Sequence, residues 1–384
     1  MRFLVIGAGK QGSACALDLL EHTNGSVVLA DKYDVPLASY LERFSKDPRL
    51  SRIRFDLEKD DDVRAAMKGV QSVLSAAPYY YNTRLAQLAV EAGAHFADLG
   101  GNTEIVFEQK KLDAAAAVKG ISVIPDCGLA PGMVNILAGE GIRRLDTVDS
   151  ARIYVGGLPQ KPRPPLNYMV VYSLEGALDY YTTESWILRD GRRTAVDALS
   201  EVEPVQFPSP VGELEAFHTA GGISTMPFSW EGKIPVMEYK TLRYPGHAAI
   251  MRPIRELGLL DNEPIEVNGT GHKVSPRKMF IAAVSPKLTE PKGRDLVALR
   301  VDVRGTKDGK PAGFRWEMVD RYDEQRDVTA MMRTTGYSLA VTGIMQVDGR
   351  VSAMGVKTPD ECMPANEYIA ELKKRGVMIE ESRL

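Results

Sequence analysis

The sequence predicts an α/β protein with two parts, a doubly wound parallel sheet and a second α+β domain with a largely antiparallel sheet. Three observations support this prediction. Short apolar runs alternate with helical patterns through the first third of the chain, as a parallel sheet requires. A glycine-rich turn directly follows the first apolar run. After Pro125 the pattern changes to longer strands and many turns, and 384 residues suffice for two or three domains.

The first third of the chain contains six apolar runs of strand length, joined by helical patterns. Six strands with short helical crossovers form one doubly wound domain. The predicted strands are Arg2–Ile6, Val27–Ala30, Ile53–Asp56, Ser72–Ala77, His95–Leu99 and Ser122–Ile124. The predicted helices are Ser13–Leu20, Leu37–Phe44, Asp61–Lys68, Thr83–Ala92 and Val106–Val118.

The rest of the chain begins with a hinge-like turn at residues 128–132 and a helix through Leu137. Its strands include Ala151–Val155, Ile265–Val267 and Leu296–Val303, the last with the alternation of an antiparallel sheet covered on one face. The pattern Thr329–Ile344 predicts a long helix that returns to the first domain. We therefore predict a discontinuous first domain, residues 1–127 and 330–384, and a second domain, residues 128–329.

The glycine-rich turn predicts that the first domain is a Rossmann domain that binds a dinucleotide. Gly7 permits the tight turn, Gly9 lets the backbone approach a pyrophosphate, and Gly12 lets the helix pack closely on the strand. The helix N-terminus then offers free N–H groups to the phosphates. Asp31, at the end of the second strand, can accept hydrogen bonds from both ribose hydroxyls.

The same acid favours NAD, because a carboxylate at the ribose repels the 2′-phosphate of NADP. Lys32 follows directly and could soften this preference. The predicted cofactor-binding residues are Gly7, Gly9, Lys10, Gln11, Gly12, Asp31, Asp56, Ala76 and Ala77.

Composition narrows the possible partners. A net charge of −3 gives no reason to expect nucleic acid or an anionic membrane. No run approaches the ~20 apolar residues of a membrane span, and glycine breaks the first apolar run too early for a signal peptide. Three widely spaced cysteines suit a reducing cytoplasm, and no His/Cys cluster has the spacing of metal ligands. We also expect a homo-oligomer, with the second domain contributing to oligomerisation.

Ligands of open α/β sheets bind beyond the carboxyl ends of the strands, and polar residues follow three predicted strands. Tyr79 follows the fourth strand, Asp98 ends the fifth and Asp126 follows the sixth. Two of them have a plainer interpretation: the tyrosine packs at an interface, and Asp98 caps a turn. Cys127 fits a small buried residue better than a nucleophile, since no histidine is near it in the sequence.

Two polar runs make the second domain the candidate substrate-binding and catalytic domain. His218 and Thr219 lie in the first run, and Arg243 and Tyr244 lie in the second. Arg243 could clamp a carboxylate bidentately, although an ion-paired arginine is the commoner finding. A lone histidine such as His218 is also more often structural than catalytic.

Six runs along the chain are characteristic of a known family: Ile124–Met133, Tyr154–Pro159, Tyr172–Gly176, Phe217–Thr219, Tyr239–His247 and Lys373–Val377. In these runs the chain resembles the lysine 6-dehydrogenases of the saccharopine dehydrogenase superfamily. The resemblance implies oxidation of the side-chain amine of L-lysine by NAD, giving ammonia and the 6-semialdehyde of aminoadipate, which cyclises.

Three departures from the saccharopine reductases favour lysine as the substrate. Ala130 and Val155 stand where those enzymes have aspartate and cysteine, and Glu175 stands where they have an arginine. An arginine suits the extra carboxylates of a glutamate-bearing substrate, whereas a glutamate suits an ammonium.

The resemblance and the chemistry together assign candidate roles. A lysine ammonium must lose a proton before it gives up hydride, so the site needs a base. Candidates are His218 and Asp126, with Asp98 third, and Tyr79 falls where the reductases carry a tyrosine beside the cofactor. Substrate would be held by Arg243 at the α-carboxylate and Glu175 at an amino group, with Thr219 and Tyr244 nearby.

Two alternatives remain open. One is a reductase that joins an aldehyde to an amino acid, as in saccharopine formation. The other is a non-catalytic NAD-binding sensor, against which the two polar runs of the second domain argue.

Overall fold

The computed structural model describes residues 1–290, 293–351 and 353–384, and it confirms the predicted fold class. The first sheet is parallel, and six of its strands come from the first third of the chain. They are β1 (Arg2–Ile6), β2 (Ser26–Asp31), β3 (Leu50–Arg54), β4 (Ser72–Ser75), β5 (His95–Asp98) and β6 (Ser122–Ile124). The helices between them are α1 (Lys10–His22), α2 (Asp60–Met67), α3 (Asn82–Ala92), α4 (Thr103–Lys110) and α5 (Asp113–Val118).

Two predicted helices differ from the structure. Only a 3₁₀ helix, Ser39–Phe44, forms after β2, and Leu41 is its one buried residue, so little apolar packing supports a longer helix. The prediction of one helix over 106–118 was wrong, because the chain turns at Lys111 and Leu112 between α4 and α5.

The rest of the chain builds a second sheet and several helices. The elements of this region are α6 (Met133–Arg144), β7 (Thr147–Pro159), α7 (Leu174–Thr182), β8 (Ser185–Arg189), β9 (Arg192–Val196), β10 (Glu203–Gln206), β11 (Glu213–His218), α8 (Met226–Ser229), β12 (Val236–Arg243), α9 (His247–Glu256), β13 (Ile265–Glu266), β14 (Lys273–Val274), α10 (Pro276–Leu288), β15 (Asp295–Lys307) and β16 (Lys310–Arg321). The final elements are α11 (Ala330–Val347), β17 (Gly355–Val356), α12 (Pro359–Cys362), α13 (Ala365–Lys374) and β18 (Glu380–Arg383).

The second sheet is built mostly by antiparallel pairing, and β7 and β12 form its parallel pair. Its strand order is β10-β11-β12-β7-β15-β16-β18, and β8 pairs with both β9 and β12.

Helix α11 lies between the two sheets. It packs against α1, β4 and β5 on one side and against β15 and β16 on the other. Two glycines permit this close approach: a Cβ at Gly336 would lie 2.7 Å from the Gln11 carbonyl oxygen, and one at Gly343 would lie 2.7 Å from Leu74. The helix therefore fixes the position of the glycine-rich turn relative to the second sheet.

The end of the chain contributes to both sheets. Strand β17 pairs in parallel with β6, which gives the order β3-β2-β1-β4-β5-β6-β17, whereas β18 pairs with β16 of the second sheet. The domain boundaries, residues 1–127 with 330–384 against 128–329, stay a prediction. Among the described residues, no helix combines the length and the apolar character needed to cross a bilayer.

Candidate active site

The glycine-rich turn forms a compact cradle at the carboxyl end of β1. Gly7 has φ +96°, in the left-handed region that favours glycine. A Cβ at Gly12 would lie 1.8 Å from the Gly7 carbonyl oxygen, so only glycine fits there. Gly9 is the N-cap of α1 and provides no side-chain cap, which leaves the first N–H groups of the helix available to a phosphate. Exposed Lys10 opens the helix.

Two carboxylates, Asp31 and Asp56, lie at the carboxyl ends of β2 and β3. Asp31 accepts hydrogen bonds from the backbone N–H groups of Ala8 at 2.7 Å and Tyr33 at 3.0 Å, so it ties the end of β2 to the turn. Asp56 accepts from the Glu58 N–H at 3.1 Å, which is the main reason that its pKa is lowered. Lys32 lies 3.6 Å from Asp56 and partly offsets its charge.

Ala76 and Ala77 follow β4 directly beside the turn. The Ala76 N–H donates to the Ile6 carbonyl oxygen at 2.8 Å, and the Ala76 carbonyl oxygen would lie 3.0 Å from a Cβ at Gly7. These small residues leave the floor of the cradle open to a flat ligand. The Oε1 of Gln11 is buried and has no hydrogen-bond partner among the described residues, and Gln11 lines the adjoining cleft.

A cleft of about 240 Å³ opens beyond the strand ends, between the first sheet and the second. Its volume is below the 300–1,000 Å³ typical of sites for drug-sized ligands, which favours a small substrate. The lining residues include Gln11, Leu99, Gly100, Gly101, Gly128, Ala130, Val155, Gly157, Tyr172, Tyr180, Tyr239, Thr241, Arg243, Met331 and Thr335.

Arg243 is a buried cation in the wall of this cleft. It is 3% exposed, and its guanidinium lies 4.8 Å from the centre of the Tyr168 ring. Its Nε donates to the Tyr181 hydroxyl at 3.1 Å, and its Nη1 donates to the Leu242 carbonyl oxygen at 2.8 Å. Within the described part of the chain it forms no salt bridge, and a buried charge without a counter-ion is costly. The site therefore suits an anionic group of a ligand.

Strand β12 presents one face to the cleft. Tyr239, Thr241 and Arg243 line it, as the period of two in a strand requires. Thr219 reaches the same place through a 2.7 Å hydrogen bond between its hydroxyl and that of Thr241. Tyr244 lies on the other face and donates to the Pro159 carbonyl oxygen at 3.0 Å, so it does not line the cleft.

His218 is also placed away from the cleft. It pairs with Lys240 across β11 and β12, and paired residues share a face. Its Nε2 lies 3.3 Å from Glu201 Oε2 and 3.9 Å from Glu238 Oε2. Burial, and then the charge of Lys240, lowers the pKa of the imidazole. The structure thus does not support His218 as the base, because its ring is directed into an ion-pair network on the far face of the sheet.

That network has the spacing of a metal site but not its charge. One ligand atom from each of Glu201, His218 and Glu238 lies within 4.8 Å of the others. Arg189 already pairs with Glu201 at 2.8 Å, and Arg152 pairs with Glu238 at 2.8 Å. These cations compensate the carboxylates, so a divalent cation would find no net negative charge to attract it.

Asp126 is a buried carboxyl group beside the cleft. It is 1% exposed, and its φ of 62° is unusual for a residue other than glycine. Gly100 makes room for it, since a Cβ there would lie 1.9 Å from Asp126 Oδ1. Neither carboxyl oxygen has a partner with hydrogen-bond geometry among the described residues, although the Ser224 hydroxyl is near. Burial, with the charges of Asp98 and Asp360, raises its pKa to about 7.

Asp98 is buried too, but its oxygens are occupied. It accepts from the N–H of Gly100 at 2.7 Å, the N–H of Asp126 at 3.3 Å and Gln109 Nε2 at 2.7 Å. Burial raises its pKa to about 6. These bonds make Asp98 a support for the loop that carries Asp126.

Tyr79 lies at the edge of the cleft, and Glu175 lies on the surface of α7. Tyr79 is 37% exposed and its ring packs beside Gly101. Glu175 is exposed in the first turn of α7 and has no hydrogen bond or ion pair among the described residues. Tyr172, before this helix, and Tyr180, within it, both line the cleft.

Sequence reasoning assigned no role to several residues of the cleft wall, namely Tyr172, Tyr180, Tyr239 and Thr241. The alternation in β12 was a usable signal for two of them. Ala130 and Val155, two of the positions that depart from the saccharopine reductases, also line the cleft.

The cradle at α1, the acid at β2 and a cleft closed by a second sheet define a dinucleotide-binding protein of two domains. Comparison with family models identifies which one. The saccharopine dehydrogenase NADP binding domain matches residues 3–124, and the saccharopine dehydrogenase C-terminal domain matches residues 128–377. The chain therefore belongs to the saccharopine dehydrogenase family of oxidoreductases.

Individual relatives are distant in sequence. The chain is 23% identical over 273 residues to mouse mitochondrial alpha-aminoadipic semialdehyde synthase, covering 68% of this chain and 29% of that protein. It is 25% identical over 220 residues to a saccharopine dehydrogenase [NADP(+), L-glutamate-forming] from Pyricularia oryzae, covering 55% and 48% of the two chains. The match thus spans less than half the length of these relatives.

Two solved structures share the whole fold. Apo saccharopine dehydrogenase (L-Glu forming) from Saccharomyces cerevisiae superposes with a TM-score of 0.80 at 19% identity, over 100% of this chain and 99% of that one. Homospermidine synthase from Legionella pneumophila, in complex with NAD, gives 0.71 at 10% identity, over 100% and 91%. At these identities the likeness establishes the fold alone.

Proposed function

We propose that the protein catalyses NAD-dependent oxidative deamination of the side-chain amine of L-lysine. The products would be ammonia and 2-aminoadipate 6-semialdehyde, which cyclises. The observation that carries the proposal is Arg243, a buried guanidinium in the cleft wall without an acidic partner in the described structure. Together with the lysine 6-dehydrogenase motifs, it supports a small substrate that bears a carboxylate.

Two groups near the cleft suit the two ends of lysine. Arg243 on β12 would bind the α-carboxylate bidentately. Asp126 and the glycine-rich turn belong to the predicted first domain. In this proposal the side-chain amine would lie toward the first domain, near Tyr79, and the exposed Glu175 would bind an amino group.

Asp126 suits the role of base better than the other candidates. Its pKa of about 7 is close to working pH, and its oxygens have no competing hydrogen bonds within the described residues. It would take the proton from the lysine ammonium, whose pKa is ~10.4 in water. When bound, the dinucleotide supplies a hydride acceptor at its nicotinamide. Water then hydrolyses the imine to aldehyde and ammonia.

We propose NAD as the preferred cofactor. Asp31 and Asp56 would lie near the ribose, and Lys32 offsets the charge of Asp56. Asp31 is held directly at the glycine-rich turn, so its carboxylate would repel a 2′-phosphate. NAD should give the higher kcat/KM, and Asp31→Ser should narrow the difference. Equal kcat/KM for both cofactors in the unmodified protein would contradict this assignment.

The second candidate is reductive amination of the saccharopine type. The Pyricularia relative supports it only as far as its name goes, a saccharopine dehydrogenase, whose reverse reaction joins glutamate to the semialdehyde. An absorbance assay separates the two reactions: lysine with NAD should produce NADH, whereas glutamate, the semialdehyde and NADH should not react.

Isotope labelling tests the position of oxidation. Lysine labelled with nitrogen-15 only at the side chain should release labelled ammonia. Unlabelled ammonia from that substrate would mean oxidation at the α-carbon, and no NADH from lysine alone would refute the proposed reaction.

A further inference from the structure

A buried hydrogen-bond chain runs from Arg243 away from the cleft, through Tyr181 and His247 to the backbone at Leu166. We infer that Tyr181 and His247 are positioning residues that fix the guanidinium of Arg243 for a substrate carboxylate. The inference deepens the proposed function and rests on it for the identity of the carboxylate. The hydrogen-bond chain itself can be tested without any substrate.

The donor and acceptor at every link of this chain are determined by chemistry. Arg243 Nε lies 3.1 Å from the Tyr181 hydroxyl, and a guanidinium can only donate. The tyrosine oxygen therefore accepts, and its proton is free for His247 Nε2, 3.1 Å away. His247 must present a lone pair at Nε2, so its proton is on Nδ1, which donates to the Leu166 carbonyl oxygen at 3.1 Å.

Packing holds the imidazole in this orientation. His247 is 2% exposed, and its ring stacks on Phe217 with an angle of 4° between the planes. Tyr168 and Tyr181 approach it edge-on, with ring centres 5.6 Å and 5.8 Å away. Burial, and then the positive charge of Arg243, lowers the pKa of His247 to about 3, so the ring stays neutral near pH 7.

The hydrogen bonds that Arg243 already forms determine which of its N–H groups remain for a ligand. Nε is bonded to Tyr181, and one N–H of Nη1 is bonded to the Leu242 carbonyl oxygen. Nη2 forms no hydrogen bond with the described residues. The guanidinium therefore offers Nη2, together with the second N–H of Nη1, to the two oxygens of a carboxylate.

The first experiment measures the tautomer of His247, which the hydrogen-bond chain determines. The protein contains five histidines, so nitrogen-15 histidine labelling gives few signals. His247, assigned by its loss in His247→Gln, should be the neutral Nδ1–H tautomer from pH 5 to pH 8. Tyr181→Phe should shift its Nε2 signal because the donated hydrogen bond is gone. An Nε2–H tautomer, or an imidazolium at neutral pH, would overturn the inference whatever reaction the protein catalyses.

The second experiment measures the consequence for binding. Tyr181→Phe and His247→Leu should raise the lysine KM on the order of tenfold, because Arg243 loses an oriented partner. The kcat at saturation should change much less. Cadaverine, which is lysine without the carboxylate, should show the same kcat/KM in these variants as in the unmodified protein.

Two comparisons separate positioning from folding. His247→Gln keeps an acceptor and a donor at similar positions, so it should recover part of the lysine affinity that His247→Leu loses. Tyr154→Phe removes a hydroxyl from a buried tyrosine on the far face of the sheet, where it donates to Glu203, and should leave the lysine KM unchanged. If the variants melt at a lower temperature yet keep the lysine KM, the hydrogen-bond chain only stabilises the fold, and the inference is overturned. If the unmodified protein does not oxidise lysine, the proposed function is wrong. The tautomer measurement still shows whether the hydrogen-bond chain from Arg243 to Leu166 exists.

Discussion

At the scale of single residues, the site combines two buried groups that each lack one kind of partner. Arg243 donates to Tyr181 and to the Leu242 carbonyl oxygen but has no acidic partner, and Asp126 is a carboxyl group without a hydrogen-bonded partner, both within the described residues. Leaving a buried polar group unsatisfied costs about 1–3 kcal/mol, and more when the group is charged. Arg243 lines the cleft and Asp126 lies against Gly100, which also lines it, an arrangement typical of a site where a ligand completes the interactions.

Arg243→Lys tests the guanidinium. A lysine keeps the charge but loses the fork of N–H donors, so the lysine KM should rise at least about tenfold, equivalent to ~1.4 kcal/mol. The NAD dissociation constant should stay unchanged, because the cofactor cradle is on the other domain. Steady-state kinetics and calorimetry measure the two quantities.

Arg189→Lys is the matched control for this prediction. Arg189 pairs with Glu201 on the far face of the sheet, so its substitution should leave the lysine KM unchanged. An unaltered KM in Arg243→Lys would contradict the carboxylate site.

Asp126→Asn tests the base and has a defined pH dependence. Loss of the base should lower kcat by about 10²–10⁴-fold, and the unmodified enzyme should gain activity as pH rises through about 7. The stability effect has the opposite trend. The raised pKa means that the folded protein binds the extra proton between about pH 4 and pH 7, so ionisation of Asp126 costs stability as pH rises.

Asparagine removes that cost, so the variant should gain melting temperature at pH 8 but little at pH 4.5. With about 1.4 kcal/mol per pKa unit, the gain at pH 8 has an upper bound of about 4 kcal/mol. Thermal melts at both pH values measure it. An equal change at both pH values would mean that Asp126 does not titrate as proposed.

At the scale of elements, two glycines at the junction of β1 and α1 have different roles. Gly12 is needed by the fold, since a Cβ would lie 1.8 Å from the Gly7 carbonyl oxygen. A Cβ at Gly9 would have no atom of the described structure within 4 Å, so the space beside this glycine is left for the ligand. The same motif thus contains one structural and one ligand-facing glycine.

Gly12→Ala and Gly9→Ala form a matched pair. Gly12→Ala should lower the melting temperature of the cofactor-free protein, by roughly 1–3 kcal/mol of stability, because backbone must move. Gly9→Ala should melt almost as the unmodified protein but bind NAD more weakly, because its methyl group occupies the path of the pyrophosphate. Thermal melts and NAD titrations measure both effects. Normal NAD binding by Gly9→Ala would place the pyrophosphate elsewhere.

Local patterns predicted the elements well because they are determined by neighbours in the chain. The order of strand, glycine turn, helix and acid is contained within residues 2–31, and the structure forms it there. The period of two also accounts for β12, where Tyr239, Thr241 and Arg243 share the face toward the cleft. The predicted helix boundaries were wrong where few side chains are buried, as in the 3₁₀ helix around Leu41.

The positions of side chains relative to the cleft were harder to predict. Sequence alone separates the faces of β12 but does not say which face meets the first domain, and His218 lies on the face that does not. The environment of Asp126 depends on Gly100 and Asp98, which come from a different strand and the loop after it. Tyr181 and His247 are 66 residues apart, and only the folded chain brings them together.

At the scale of the whole molecule, the proposed reaction needs both sheets. The first carries the glycine-rich turn that would hold the cofactor, and the second carries Arg243. Helix α11 packs on both and contributes Met331 and Thr335 to the cleft. In the proposed mechanism, the packing of this buried helix would therefore set the distance between the hydride acceptor and the substrate anchor.

An oligomer interface commonly uses an exposed apolar surface. In the described residues, the outer face of the second sheet is not such a surface. Ion pairs such as Arg152 with Glu238 and Arg315 with Asp302 occupy much of it. Exposed apolar side chains are instead frequent in residues 257–279. They are Leu257, Leu259, Ile265, Val267 and Met279.

We propose that this segment is the contact between copies of the chain. Ile265 is 59% exposed on β13, which pairs only with β14 in the described structure, and apolar patches of this kind mark association sites. Light scattering at micromolar protein should give a multiple of 42.2 kDa, and Ile265→Asp should lower that mass because a carboxylate would be buried between subunits. Val118→Asp is the control, since Val118 is 88% exposed at the end of α5 in the first domain and its substitution should leave the mass unchanged. A mass of one chain for the unmodified protein would refute association, and an unchanged oligomer in Ile265→Asp would move the contact to another surface.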